Sequence, residues 1–256
     1  MTYRDDSSSV GKGYAYVSST ADDGQSWSDP VELAPDDGAV SGFGVFVSVF
    51  EDTVLVGAAV DVAYVFQRMQ GGHWAQVNKI PGAIGALHDN IVVTGSKVFR
   101  TDDHWDTYQE VPLPKAGSTA VYGKTVVVGV SADNNGTGAL YVFASADDGQ
   151  TWHHQDTLTA PDATSLGSVV AISEDLTIVA KAAGEQAFVF KKKADKNSWY
   201  LAKILEGESR EKQLPPGSDS FASAFDIANG VVVVGASSDA DTRWSPVSGS
   251  AYVFHV

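Results

Sequence analysis

Chemistry in this chain would have to come from carboxylates, because every other reactive side chain is sparse or scattered. The 256 residues carry 32 Asp and Glu against 17 Lys and Arg, with six His and no Cys. Without Cys there is no thiol nucleophile, no thiolate metal ligand and no disulfide. The His residues, at 73, 88, 104, 153, 154 and 255, form neither a His-x-His nor a His-Glu-x-x-His pattern. Adjacent on a strand, His153 and His154 would point to opposite faces and could not chelate one metal. No Gly-x-Ser-x-Gly elbow is present. The stretch from Gly117 to Thr125 superficially looks like a phosphate loop. It spaces its glycines by five residues instead of four and runs into a strand, so no helix N-terminus would face a phosphate.

Two stretches combine groups suited to recognition. Asp239, Asp241, Arg243 and Trp244 set an aromatic beside charged groups, which suits stacking on a sugar or anchoring a protein partner. The same Trp could equally fold back over the end of the domain. Asp133 and Asn134 begin an oxygen-rich run ending at Gly136, which reads first as a turn and at most as a weak calcium site. Asn135-Gly136-Thr137 is a glycosylation sequon, informative only on a secreted chain.

The formal charge of −15 would repel a nucleic-acid backbone and an anionic membrane surface. Cations, basic protein patches and neutral sugars remain as partners. The longest strongly apolar run, near Val231 to Ala236, is far too short for a membrane span. The polar first 13 residues lack the apolar core of a signal peptide and are expected to form a flexible N-terminal segment of a single domain, 1–256.

What must position these residues is a repeat. An aromatic-flanked triplet recurs, centred on Val17, Val65, Val98, Val142, Val189 and Val253, at separations of 48, 33, 44, 47 and 64 residues. Blades of four-stranded propellers repeat at roughly 40 to 50 residues. Upstream of the triplets lie β-branched runs such as Thr53-Val54-Leu55-Val56-Gly57 and Val231-Val232-Val233-Val234-Gly235. Downstream comes a turn and then an aromatic: Trp27, Trp74, Trp105 with Tyr108, Trp152 and Trp199. Each unit therefore reads as four strands, a to d. Strand b is apolar throughout because it is buried on both faces, and strand d is the more polar outer edge. The fold class expected is an all-β propeller of four-stranded antiparallel blades. Five blades are expected, or six with one incomplete or strand-swapped.

Two family signatures support this reading. Phe43-Gly44, Val56-Gly57-Ala58 and Tyr64-Val65-Phe66, with their counterparts Val234-Gly235-Ala236 and Tyr252-Val253-Phe254, resemble the FG-GAP repeat of integrin α-type propellers. The turn containing Asp22, Gly24 and Trp27, and that containing Asp147, Gly149 and Trp152, resemble the Asp-box, Ser/Thr-x-Asp-x-Gly-x-Thr/Ser-Trp. Thr101 to Trp105 looks like a decayed third copy. In such a box the Asp satisfies backbone N–H groups, Gly supplies a positive φ and Trp packs between sheets, so these six residues are expected to be structural.

The resemblances also imply functions that the residues can be tested against. Integrin-type propellers hold calcium in a–b loops, but the loops here, such as Glu51-Asp52 and Asp89-Asn90, are too short to supply the ligands; no metal or other cofactor is expected. Sialidases share the Asp-box, yet their chemistry needs an Arg cluster, and the five Arg at 4, 68, 100, 210 and 243 are dispersed. No catalytic residue is assigned; a glycoside hydrolase using two carboxylates is the residual enzymatic alternative. The leading expectation is a non-enzymatic module that binds a protein or glycan through the variable b–c and d–a loops. The counts supply a rival. Six c strands face five a–b pairs and five d strands, and an incomplete blade invites strand pairing between copies in a self-assembling scaffold. The FG-GAP resemblance favours a cell surface, while the absence of a signal peptide and of Cys does not.

Overall fold

A computed structural model describes residues 13–38, 40–82, 85–183, 186–194, 197–207, 221–237 and 249–256. The fold is the expected one: all-β, five blades of antiparallel sheet, with a single 3-10 turn, Asn134–Gly136, among the described residues. Four sheets have four strands each, running in chain order. They are β3 to β6 (Phe46–Phe50, Thr53–Ala58, Val62–Arg68, Trp74–Pro81) and β7 to β10 (Gly85–His88, Ile91–Thr94, Lys97–Arg100, Gln109–Pro112). Next come β11 to β14 (Ser118–Tyr122, Thr125–Val130, Ala139–Ala144, His153–Leu158) and β15 to β18 (Val170–Ile172, Ile178–Ala182, Gln186–Lys192, Trp199–Glu206). The last blade has three strands, β19 to β21 (Phe221–Ala228, Val231–Ala236, Ser250–His255). A two-stranded sheet, β1 (Ala15–Val17) with β2 (Val31–Leu33), precedes them all. The strand count read from the sequence therefore holds: β1 is a c strand, β2 a d strand, and β21 is a c strand with no d strand among the described residues.

By packing, the chain divides into two compact units. One comprises Met1–Thr94 and Val98–Glu110, the other Gly95–Lys97 and Val111–Val256.

The packing of each blade follows from its strand types. The b strands are buried on both sides, as in β8 (Ile91 to Thr94) and β12 (Thr125 to Gly129), because β-branched side chains fill the space on either face of the pleat. One face of β12, β13 and β14, through Val127, Leu140, Val142 and Leu158, joins Ile172, Ile178 and Phe188 of the next sheet in one core. A conserved geometry recurs within the chain at the start of the first and last complete a strands. Phe43 meets Tyr64 and Phe66 edge-on at 5.5 and 6.1 Å, and Phe221 meets Tyr252 and Phe254 at 5.4 and 6.2 Å. Such T-shaped contacts align the positive ring edge with a negative ring face.

Three c–d pairings also carry a one-residue bulge at one place in the triplet, between Val65 and Phe66, Val142 and Phe143, and Val189 and Phe190. The bulge re-aims the end of strand c and increases local twist.

Candidate functional site

The turns and loops at the strand ends carry nearly all of the organised polar chemistry. Three c–d turns share one wiring. In the first, the Thr20 hydroxyl donates to Asp22 Oδ1 at 2.8 Å and accepts the Gly24 N–H at 2.9 Å. Asp22 then accepts the Ser26 N–H at 2.8 Å and the Ser26 hydroxyl at 2.6 Å. Ser145, Asp147, Gly149 and Thr151 repeat it, with 2.8 Å for Ser145 to Asp147, 2.7 Å for the Gly149 N–H and 2.8 Å for the Thr151 N–H. These bonds favour the charged carboxylates, so Asp22 and Asp147 titrate at about 2, held down chiefly by the Ser26 and Thr151 hydroxyls.

The turn at 101–107 is as complete as the other two. Thr101 donates to Asp103 at 2.8 Å and accepts the Trp105 N–H at 2.9 Å; Asp103 accepts the Thr107 N–H at 2.9 Å and its hydroxyl at 2.6 Å. Trp105 thus occupies the position of Gly24 and Gly149, at φ 67°. Tyr108, not Trp105, stands at the position of Trp27 and Trp152. The sequence reading missed this because it sought Gly at that position. The signal it could have used is the Thr101, Asp103, Thr107 spacing.

Trp27 and Trp152, expected to pack between sheets, belong to none of the core clusters among the described residues. Trp27 is 63% exposed. The Trp152 indole closes on its own turn, donating to the Gly149 carbonyl at 3.1 Å. Trp105, by contrast, is 1% exposed and sits in a core with Val65, Ile80 and Phe99.

At the opposite strand ends, Asp133 organises the b–c loop after β12. Its carboxylate accepts the Lys115 ammonium at 2.7 Å, the Tyr141 hydroxyl at 2.5 Å and the Asn134 N–H at 2.9 Å. Lys115 Nζ also lies 4.3 Å from the centre of the Tyr141 ring, a cation–π distance. The Lys115 bond, then the Tyr141 bond, holds Asp133 well below the usual carboxylate range and raises Lys115 in turn. Asn134 adopts φ 52° and its carbonyl accepts the Thr137 hydroxyl at 2.9 Å. These contacts make the run a tied turn, and its carboxylate is already engaged.

The loop is stitched onward through its backbone. Ser165 N–H donates to the Gly136 carbonyl at 2.8 Å and Leu166 N–H to the Thr137 carbonyl at 3.0 Å. Gly138 pairs with Leu166 in a parallel bridge, and a Cβ at Gly138 would lie 2.2 Å from the Leu166 carbonyl oxygen. Only Gly permits that approach.

The other compact unit repeats the Lys–Asp–Tyr combination with different parentage. Lys79, on strand d, pairs with Asp37, and the Tyr64 hydroxyl donates to Asp37 at 3.2 Å. Asp37 is lowered chiefly by Lys79, Lys79 is raised by Asp37, and Tyr64 is raised first by burial. Tyr64 and Tyr141 are both the first aromatic of their triplets.

Asp239, Asp241, Arg243 and Trp244 lie outside the described residues, as do residues 1–12 and 208–220. A shallow depression is lined by Ser223, Gly235, Ser237, Gly249 and Ala251. Among the described residues no three His, Asp or Glu converge as metal ligands, and no helix is long and apolar enough to cross a membrane.

No family model matches this chain, and no curated protein matches it. Solved structures do match. YCF48 bound to D1 peptide is 16% identical with a TM-score of 0.51, over 89% of this chain and 73% of that one. A chain of the mitotic checkpoint complex is 9% identical with a TM-score of 0.56, over 88% of this chain and 66% of that one. At these identities the likeness is one of fold, a β-propeller.

Proposed function

We propose that this chain is a non-catalytic binding module that recognises a segment of another protein through the b–c and d–a ends of its blades. One observation carries the reading. The loop from Ser131 to Gly138 is variable in sequence relative to its counterparts, yet it is held by Lys115, Tyr141 and two backbone bonds from Ser165 and Leu166. A loop fixed in this way loses little conformational freedom on binding, which is how a scaffold turns a loop into a recognition surface. The peptide held by YCF48, a chain of similar fold, is in keeping with this. Within the reading, Asp239, Asp241, Arg243 and Trp244 supply the anchor, and the three Ser/Thr-Asp turns are Asp-box repeats with a purely structural role.

The test is capture of partners from a lysate, with each captured protein then measured against purified chain. Trp244→Ala is expected to weaken binding at least about tenfold, and Asp133→Ala to weaken it by freeing the loop. Unchanged binding in both variants, or turnover of a glycoside substrate, overturns the proposal.

A further inference from the structure

Among the described residues, a d strand of one kind pairs with every c strand except β21. In each pairing a Leu or Ile of strand d lies opposite the residue just before the triplet: Leu33 opposite Ala15, Ile80 opposite Ala63, Leu158 opposite Leu140 and Leu205 opposite Ala187. The short blade keeps the rule, since the Leu113 N–H donates to the Ser96 carbonyl at 2.7 Å. All five anchors are buried, between 0% and 6% exposed. Four of them stand six residues after a Trp: Trp27, Trp74, Trp152 and Trp199. In the fifth, Tyr108 stands five residues before Leu113.

The equivalent position on β21 is Ala251, and it is exposed. Val253, the triplet valine, is 61% exposed, whereas Val65, Val98, Val142 and Val189 are each 0% exposed. Val233 on the neighbouring strand is 47% exposed on the same sheet. The backbone is set up in the same way. Val256 N–H donates to the Gly230 carbonyl at 2.9 Å, and β20 and β21 are paired without a register shift. The antiparallel alternation then turns the polar groups of Ser250, Tyr252 and Phe254 toward β20, and those of Ala251, Val253 and His255 outward. The His255 carbonyl accepts Lys203 Nζ at 3.2 Å. The outward edge at Ala251 and Val253 has no strand beside it among the described residues.

We infer that the outer edge of β21 takes an extended peptide segment from a partner protein, added antiparallel as a fourth strand, with a Leu or Ile seated opposite Ala251. Five internal pairings state the occupant's direction, register and anchor, so the site is defined by what fills its equivalents. Main-chain bonds to Ala251 and Val253 provide affinity, and the apolar shelf of Ala251, Val253 and Val233 provides selectivity for the anchor. All five anchored segments of the described chain are already in use. The edge shares Ala251 with the depression described above but continues along β21 through Val253, which does not line it, so Val253→Pro tests the edge apart from the loop ends.

The probe is a synthetic peptide with the sequence of residues 198–207, the chain's own fourth strand, added to the full chain. Fluorescence anisotropy should show saturable binding, and amide exchange should slow at Ala251 and Val253. A peptide with Leu205→Asp should bind at least about tenfold more weakly. Ala251→Asp in the chain, which changes an exposed side chain only, should do the same. Val253→Pro removes an outward N–H without touching the β20 ladder and should abolish binding. Amides at Ala251 and Val253 already protected in the isolated monomer would mean the chain fills its own edge and would overturn the inference. So would self-association of the chain that Ala251→Asp abolishes, or peptide binding that is indifferent to the anchor residue.

Discussion

The turns at Thr101–Thr107 and Ser145–Thr151 have the same hydrogen bonds and opposite solutions to the same backbone problem. Both need two successive residues at positive φ: His104 and Trp105 at 57° and 67°, Asp148 and Gly149 at 59° and 84°. At the second of these positions one turn uses Gly, which reaches the conformation without strain. The other uses Trp, the bulkiest residue available, in a region where such residues are outliers. The difference lies in what each gains. Gly149 has no side chain to bury, and its neighbour Trp152 folds back on the turn. Trp105 carries a buried indole into a core shared with Phe99 and Ile80, and its carbonyl accepts Asn78 Nδ2 at 2.7 Å. A side chain–backbone network can therefore hold a costly φ when packing on the other side of the Cα compensates for it.

That comparison can be broken most directly by Trp105→Gly. Relief of the positive φ returns about 1 kcal/mol, while loss of a buried aromatic costs about 3–5 kcal/mol, so urea unfolding should show a net loss of about 2–4 kcal/mol. A gain in stability would mean that strain, not packing, dominates the Trp105 turn. The mirror experiment, Gly149→Ala, imposes the strain without the packing and should cost about 1–2 kcal/mol.

Acid titration sharpens the shared part of the wiring. Asp22 and Asp147 have folded values of about 2 against an ordinary 3.8. Their contribution is therefore complete above pH 4 and fades as the pH falls from 3.8 through 2. Carboxyl chemical shifts should report both values, and Asp147→Ala should remove part of the acid dependence of unfolding. Trp27→Ala, at an exposed indole, should change stability by no more than about 0.5 kcal/mol.

Much of the architecture was legible from spacing. The triplets at Val17 through Val253 are all c strands, and the surplus of one c strand over the d strands holds among the described residues. Local pattern suffices there because most of the triplets follow an apolar b run, and a strand buried on both faces, as β8 and β12 are, can hardly be written any other way. Side-chain destinations were less legible. Trp27 and Trp152 were expected between sheets because aromatics usually seek burial, but nothing in a local motif states whether a neighbouring sheet presents a slot. The wiring of Lys115 and Asp133 was invisible for a related reason: the partners are 18 residues apart and come from different connections. The anchor that pairs each d strand was overlooked at the level of sequence, although Trp-x5-Leu/Ile is plain once the registers are known.

The bridge between Gly138 and Leu166 has a consequence for how the loops could change over time. A side chain cannot be added at Gly138 without displacing the Leu166 backbone, and the 131–138 and 160–167 connections exchange main-chain bonds. Neither can lengthen or shift alone. Diversification at this end of the blades would have to proceed by matched changes in both connections, so that two loops distant in sequence are inherited as one unit of variation.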